Sequence, residues 1–154
     1  MAGAIEFDLR VRGVPPIKRA LAKLPEDARK EFRKNTEKLV RKLATKVRAA
    51  GRSSTKPRGS GPGGGAAATV RSSGGDSPQV IAGPHPLLFG SEYGANGRYG
   101  WYSRDEFRNS TERQFNPHRG RGSYWFWRTL IASKPEFEAT YQQIADDITR
   151  DWSA

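Results

Sequence analysis

A chain of 154 residues with a net charge of +11 and 27 glycines and prolines has material for one modest core and little more. With no cysteine it has neither a disulfide framework nor a thiolate metal site, and no apolar run approaches the roughly 20 residues of a membrane helix. The N-terminal MAGAIEFDLR lacks the basic-then-apolar order of a signal peptide, so the chain reads as soluble and made inside a cell.

Residues 5–13 alternate strictly, with Ile5, Phe7, Leu9 and Val11 on one side and Glu6, Asp8, Arg10 and Arg12 on the other, which predicts a half-buried strand over 5–12. After Val14-Pro15-Pro16, the spacing of Ile17, Leu21 and Leu24 predicts a short helix. Pro25, Glu26 and Asp27 open a second helix, with acids at its positive end. Its apolar stripe is Ala28, Phe32, Leu39, Leu43 and Val47, and its basic face is Arg29, Lys30, Arg33, Lys34, Lys38, Arg41, Lys42 and Lys46. Nearly all the net positive charge lies in the first half of the chain, which predicts an acidic partner: nucleic acid, an anionic membrane or an acidic protein surface.

Residues 51–65, GRSSTKPRGSGPGGG, have no periodicity and no apolar side chains, and are expected to form a flexible Gly/Ser/Arg-rich loop. Gly59, Gly61 and Gly64 match a dinucleotide-binding pattern, but no strand precedes them and Pro62 interrupts it. Ser53 and Lys56 match a serine–lysine pattern in a segment too loose to activate a serine. Both are composition accidents. Short segments at 66–72 and 78–83 around Ser-Gly-Gly-Asp predict two strands and a turn. Residues 84–122 are too long for an ordinary connection and read as an irregular interaction segment. Ser133 and Glu136 form a capping-box pattern for a final helix, with Phe137, Tyr141, Ile144, Ile148 and Trp152 at helical spacing.

Catalysis has little to work with. The two histidines, His85 and His118, each stand beside a proline, and the acidic pairs Asp105-Glu106 and Asp146-Asp147 are neighbours whose side chains diverge. The Asn109-Ser110-Thr111 sequon has no meaning outside a secretory route. The reading is a non-enzyme with no catalytic, cofactor or metal site. The stretch QFNPHRGRGSYWFWRTL sets four consecutive aromatics behind an arginine-glycine run, a composition suited to single-stranded nucleic acid or to a protein–protein anchor.

In order, these pieces resemble the head-to-tail joining proteins of long-tailed bacteriophages, the tail-completion, neck or minor tail components. The matching parts are the basic helix at 25–50, the link at 51–65, the hairpin at 66–83, Glu92-Tyr93-Gly94, the irregular 95–113, and Gln114-Phe115-Asn116-Pro117 through Arg119-Gly120-Arg121-Gly122 to Tyr124-Trp125-Phe126. The chain departs from many relatives by carrying GSGPGGGAAATVRSS where they have a Thr-Gly-x-Leu-type motif ahead of the hairpin.

The resemblance implies a virion structural protein, one subunit of a homo-oligomeric ring between the capsid connector and the tail tube, assembled in the host bacterial cytoplasm. Its partners would be further copies of itself, neighbouring neck and tail proteins and passing genomic DNA, with no membrane and no small-molecule substrate. The subunit interface is then expected at Glu92, Tyr93, Gly94, Phe115, Pro117, Arg119, Arg121, Tyr124, Trp125 and Trp127, with Trp125 or Trp127 as its main anchor. The expected fold is α+β in a single domain spanning 1–154: a small antiparallel sheet, a long N-terminal amphipathic helix, a C-terminal helix and long irregular loops. The alternative is a basic nucleic-acid-binding protein using the helix face at 29–46 and the arginine-aromatic block at 114–128. Residues 51–65 and much of 95–113 are expected to become ordered only on assembly.

Overall fold

The computed structural model describes residues 3–8, 14–54, 62–74, 78–94, 115–118 and 120–153. They form an α+β fold with strands β1 (Gly3–Asp8), β2 (Arg71–Ser73) and β3 (Gln79–His85) and helices α1 (Val14–Ala22), α2 (Glu26–Ser53), α3 (Pro62–Ala67), α4 (Leu88–Tyr93) and α5 (Phe126–Trp152). The antiparallel sheet has the order β1-β3-β2, with Phe7 opposite Val80, Ile5 opposite Ala82 and Ser72 opposite Val80. The N-terminal strand therefore joins the hairpin, as its alternation requires, because two short strands alone are marginal in water.

The long helices α2 and α5 run antiparallel and hold most of the core between them. At one end Trp152 Nε1 donates to Glu31 Oε2 at 2.9 Å, and at the other Trp125 closes on Gly51. The buried side of α2 is Ala28, Phe32, Thr36, Val40, Leu43, Ala44, Val47 and Gly51, a wider stripe than the large apolar residues alone mark out. Leu39 is only half-buried. From α5, Phe126, Leu130, Phe137, Tyr141, Ala145 and Ile148 face α2, and Phe32 meets Tyr141 edge-on with ring centroids 5.5 Å apart. Trp152, expected in that stripe, is 38% exposed. Helix α1 starts at Val14, ahead of its expected start, because prolines in a first turn lose no internal hydrogen bond; Ile17 and Leu21 are buried.

Three sequence expectations are corrected. The loop expected at 51–65 is helical at both ends: α2 continues through Gly51 to Ser53, and residues 62–67 form α3, while 55–61 lie outside the described residues. Gly51 is required there by close packing, since a Cβ on it would stand 2.6 Å from Ala67 Cβ and 2.8 Å from Trp125 Cε3. The strand expected at 66–72 shrinks to Arg71–Ser73, because Ala66 and Ala67 are buried in α3 instead. The irregular segment at 84–122 contains α4.

The closing helix begins at Phe126, seven residues before the expected cap. Ser133 is thus a buried mid-helix residue, and Pro135 sits inside the helix. A proline there has no N–H for the carbonyl four residues back, that of the exposed Ile131. Pro135→Ala is expected to stabilise the protein by about 1–3 kcal/mol, since alanine is by far the better helix residue. Urea unfolding checks this; an unchanged or lowered midpoint would mean that Pro135 fits the bend of α5.

Candidate functional site

The two motifs singled out in the sequence meet in space. Helix α4 ends at Tyr93, and Gly94 follows at φ +73°, turning the chain where a side chain would collide with the Pro117 carbonyl. Residues 115–118 and 120–126 lie along this turn. Phe115 packs on Gly90, the Tyr124 backbone N–H donates to the Glu92 carbonyl at 2.8 Å, and the Tyr124 hydroxyl donates to the Pro117 carbonyl at 2.6 Å. His118 Nδ1 lies 3.2 Å from the Tyr93 carbonyl oxygen, and Asn116 Nδ2 donates to the Ser54 carbonyl at 3.1 Å, tying the block to the end of α2.

The centre of this arrangement is Glu92, which is 0% exposed. Its Oε2 accepts from the Phe126 backbone N–H at 2.6 Å and its Oε1 from the Ser123 hydroxyl. Ser123 Oγ in turn accepts from the Arg128 N–H at 3.0 Å. Trp125, at the N-cap position, offers no side-chain cap to α5. A carboxylate from 34 positions earlier therefore supplies the first-turn acceptor that a local Ser or Asp would normally provide. Burial pushes the Glu92 carboxyl up to about 6, while hydrogen bonds from Ser123 and from the Phe126, Trp127 and Trp125 N–H groups pull the other way. The Tyr93 phenol is also raised, by burial first and then by the neighbouring Glu92 charge.

The expectation that this block forms a subunit anchor is corrected in part. Trp125 is 1% exposed, its indole N–H directed at Ser91 Oγ at 3.3 Å and its ring edge-on to Phe126. Glu92, Gly94 and Phe115 are buried with it. These four are enclosed by their own chain, because the arginine-glycine turn folds the aromatics back onto α2, α3 and α4. What remains on the outside is Pro117 and Arg121, with Tyr93, Tyr124 and Trp127 half-buried; Arg119 lies outside the described residues. Ser91, Asn116 and Ser123 were not singled out in the sequence, where isolated small polar residues carry no signal of their own.

The basic face of α2 divides into two sets. Arg29 pairs with Glu26 at 2.6 Å, Arg33 approaches the same carboxylate at 3.9 Å, Lys30 meets Asp27 at 3.8 Å and Arg41 meets Glu37 at 2.6 Å. These are exposed pairs of small energy. Lys34, Lys38, Lys42 and Lys46 are exposed at four-residue spacing, a single row along the helix, and among the described residues none of them has a carboxylate partner. Among the described residues no helix is long and apolar enough to cross a membrane. No protein-family model, curated protein or solved structure matches the chain.

Proposed function

We propose that this chain is a non-enzymatic structural subunit of a bacteriophage neck, acting in a homo-oligomeric ring that joins the capsid connector to the tail tube. The observation that carries this reading is the docking of Glu92-Tyr93-Gly94 against the segment from Phe115 to Trp127: the two motifs that bear the resemblance act as one unit around the Glu92 carboxylate. A buried carboxylate used as a helix cap is a structural device, and it leaves the outer edge of the unit, Tyr93, Pro117, Arg121, Tyr124 and Trp127, for contacts between subunits. Partly exposed aromatics beside an arginine suit such a rim.

The lysine row, without carboxylate partners among the described residues, favours the second reading, nucleic-acid binding. Four lysines neutralising four phosphates would lower log K against log salt with a slope of about −3.6 on duplex DNA. The expected result is a shallower slope and weak binding, together with larger assemblies in mass measurements once tail-tube or connector proteins are added. A slope near four released counterions, about halved by Lys38→Ala/Lys42→Ala, with no change of mass in the presence of those proteins, would replace the joining role by the nucleic-acid one.

A further inference from the structure

A cavity outside the Glu92 unit lies where α2 and α5 part company at the surface. Its volume is about 650 Å³, and its floor is apolar: Leu39, Leu43 and Phe137. A second hollow of about 400 Å³ shares Lys46 and Ser133 with it and continues between the two helices to Tyr124 and Arg128. From Lys38 to Ser54 the continuous groove runs for roughly 24 Å along α2, the length of a helix of about 16 residues.

The chemistry of the walls is lopsided. On the α2 side stand Lys38, Lys42 and Lys46, three of the four lysines with no carboxylate partner among the described residues. Facing them across the floor is Glu136 on α5, also exposed. Ser133, only 4% exposed, lies where the two hollows meet, with its hydroxyl turned into the protein rather than into the groove. Apolar floor and cationic rim together form a receptor for something that is apolar on one side and anionic on the next.

We propose that this groove docks an acidic amphipathic helix of a partner protein, its apolar stripe on Leu39, Leu43 and Phe137 and its carboxylates toward Lys38, Lys42 and Lys46. Charge complementarity selects this occupant. Arg29, Arg33 and Arg41 already meet carboxylates on their own helix, whereas Lys38, Lys42 and Lys46 beside the groove meet none among the described residues. Nucleic acid fits less well: a phosphate backbone has nothing to place on the apolar floor and would meet Glu136 across it. A second copy of this chain fits less well too, because the acids toward the end of its α5 are engaged, Asp147 and Asp151 with Arg150 and Asp146 with Gln142. The inference does not rest on the joining role, and would hold for any assembly in which the chain meets such a helix.

The absence of cysteine makes the test direct. Ala49→Cys places one thiol on the exposed edge of the groove, where an environment-sensitive fluorophore can be attached to the full chain. The probe is a synthetic peptide of about 16 residues with leucines at three- and four-residue spacing and glutamates between them, beside a shuffled peptide of the same composition and a short DNA duplex. The ordered peptide is expected to give a saturable signal. Lys38→Glu/Lys42→Glu and Leu39→Ser, changes at exposed or half-buried positions, should each weaken it about tenfold, and the shuffled peptide should bind about tenfold more weakly. The proposal is overturned if ordered and shuffled peptides bind alike, if DNA displaces the peptide through the same lysines, or if no saturable signal appears. A signal that grows with protein concentration alone would give the groove to a second copy instead.

Discussion

Replacing Trp125 by alanine is expected to cost the free subunit about 3–5 kcal/mol, a large share of what a domain of this size has in hand. The indole is almost wholly enclosed, in contact range of Gly51 and hydrogen-bonded to Ser91, at the point where α2, α4 and the start of α5 converge. Removing it leaves a cavity at that junction which the ends of two long helices cannot close without moving. Trp127 is only half-buried, and its removal is expected to cost a fraction as much. Urea unfolding of the two purified variants measures the difference. If Trp125→Ala keeps its unfolding midpoint and fails only in joining heads to tails, Trp125 acts between subunits after all.

Glu92 is expected to have an effect of the same order, with an unusual pH signature. Glu92→Ala strips the acceptor from the buried Phe126 N–H and from the partly buried Ser123, about 3 kcal/mol or more. The conservative variant separates charge from hydrogen bonding. Because burial holds the folded carboxyl near 6, above its ordinary 4.5, its contribution is fully present below pH 4.5 and is lost as pH rises through 6. That loss amounts to about 2 kcal/mol. Glu92→Gln has no such titration, so the advantage of wild type over Glu92→Gln should shrink by about that amount between pH 4 and pH 7. An advantage that grows with pH would mean that the capping N–H groups outweigh burial and that the native carboxylate is ionised at little cost.

The parts of this fold that were legible in the sequence are those whose signal is local. The alternation expected to make a strand of 5–12 is met by β1, Gly3–Asp8, which joins the sheet because side chains on a strand change face at every step; 9–12 lie outside the described residues. The stripe from Ala28 to Val47 and the series Phe137, Tyr141, Ile144, Ile148 and Trp152 report helices because one face of each must be buried; both helices form, with Leu39 and Ile144 only half-buried and Trp152 exposed. The pairing of the Glu-Tyr-Gly triplet with the aromatic block came from resemblance, and its geometry is intramolecular contact.

What only the tertiary structure decided are the places where a partner distant in sequence supplies what the local residues lack. Nothing around Phe126 announces a helix start, and Ser133 with Pro135 and Glu136 announces one seven residues too late; the Glu92 carboxylate overrides both by capping the chain at Phe126. A glycine-rich run reads as a tether, yet Gly51 continues α2 because Ala67 and Trp125 press against it where no side chain would fit. Trp125, three residues beyond an arginine-glycine run, reads as an anchor between subunits. It is buried because the turn at Gly94 and the hydrogen bonds to Glu92 bring it under α4, and such contacts have no periodicity along the chain to be read.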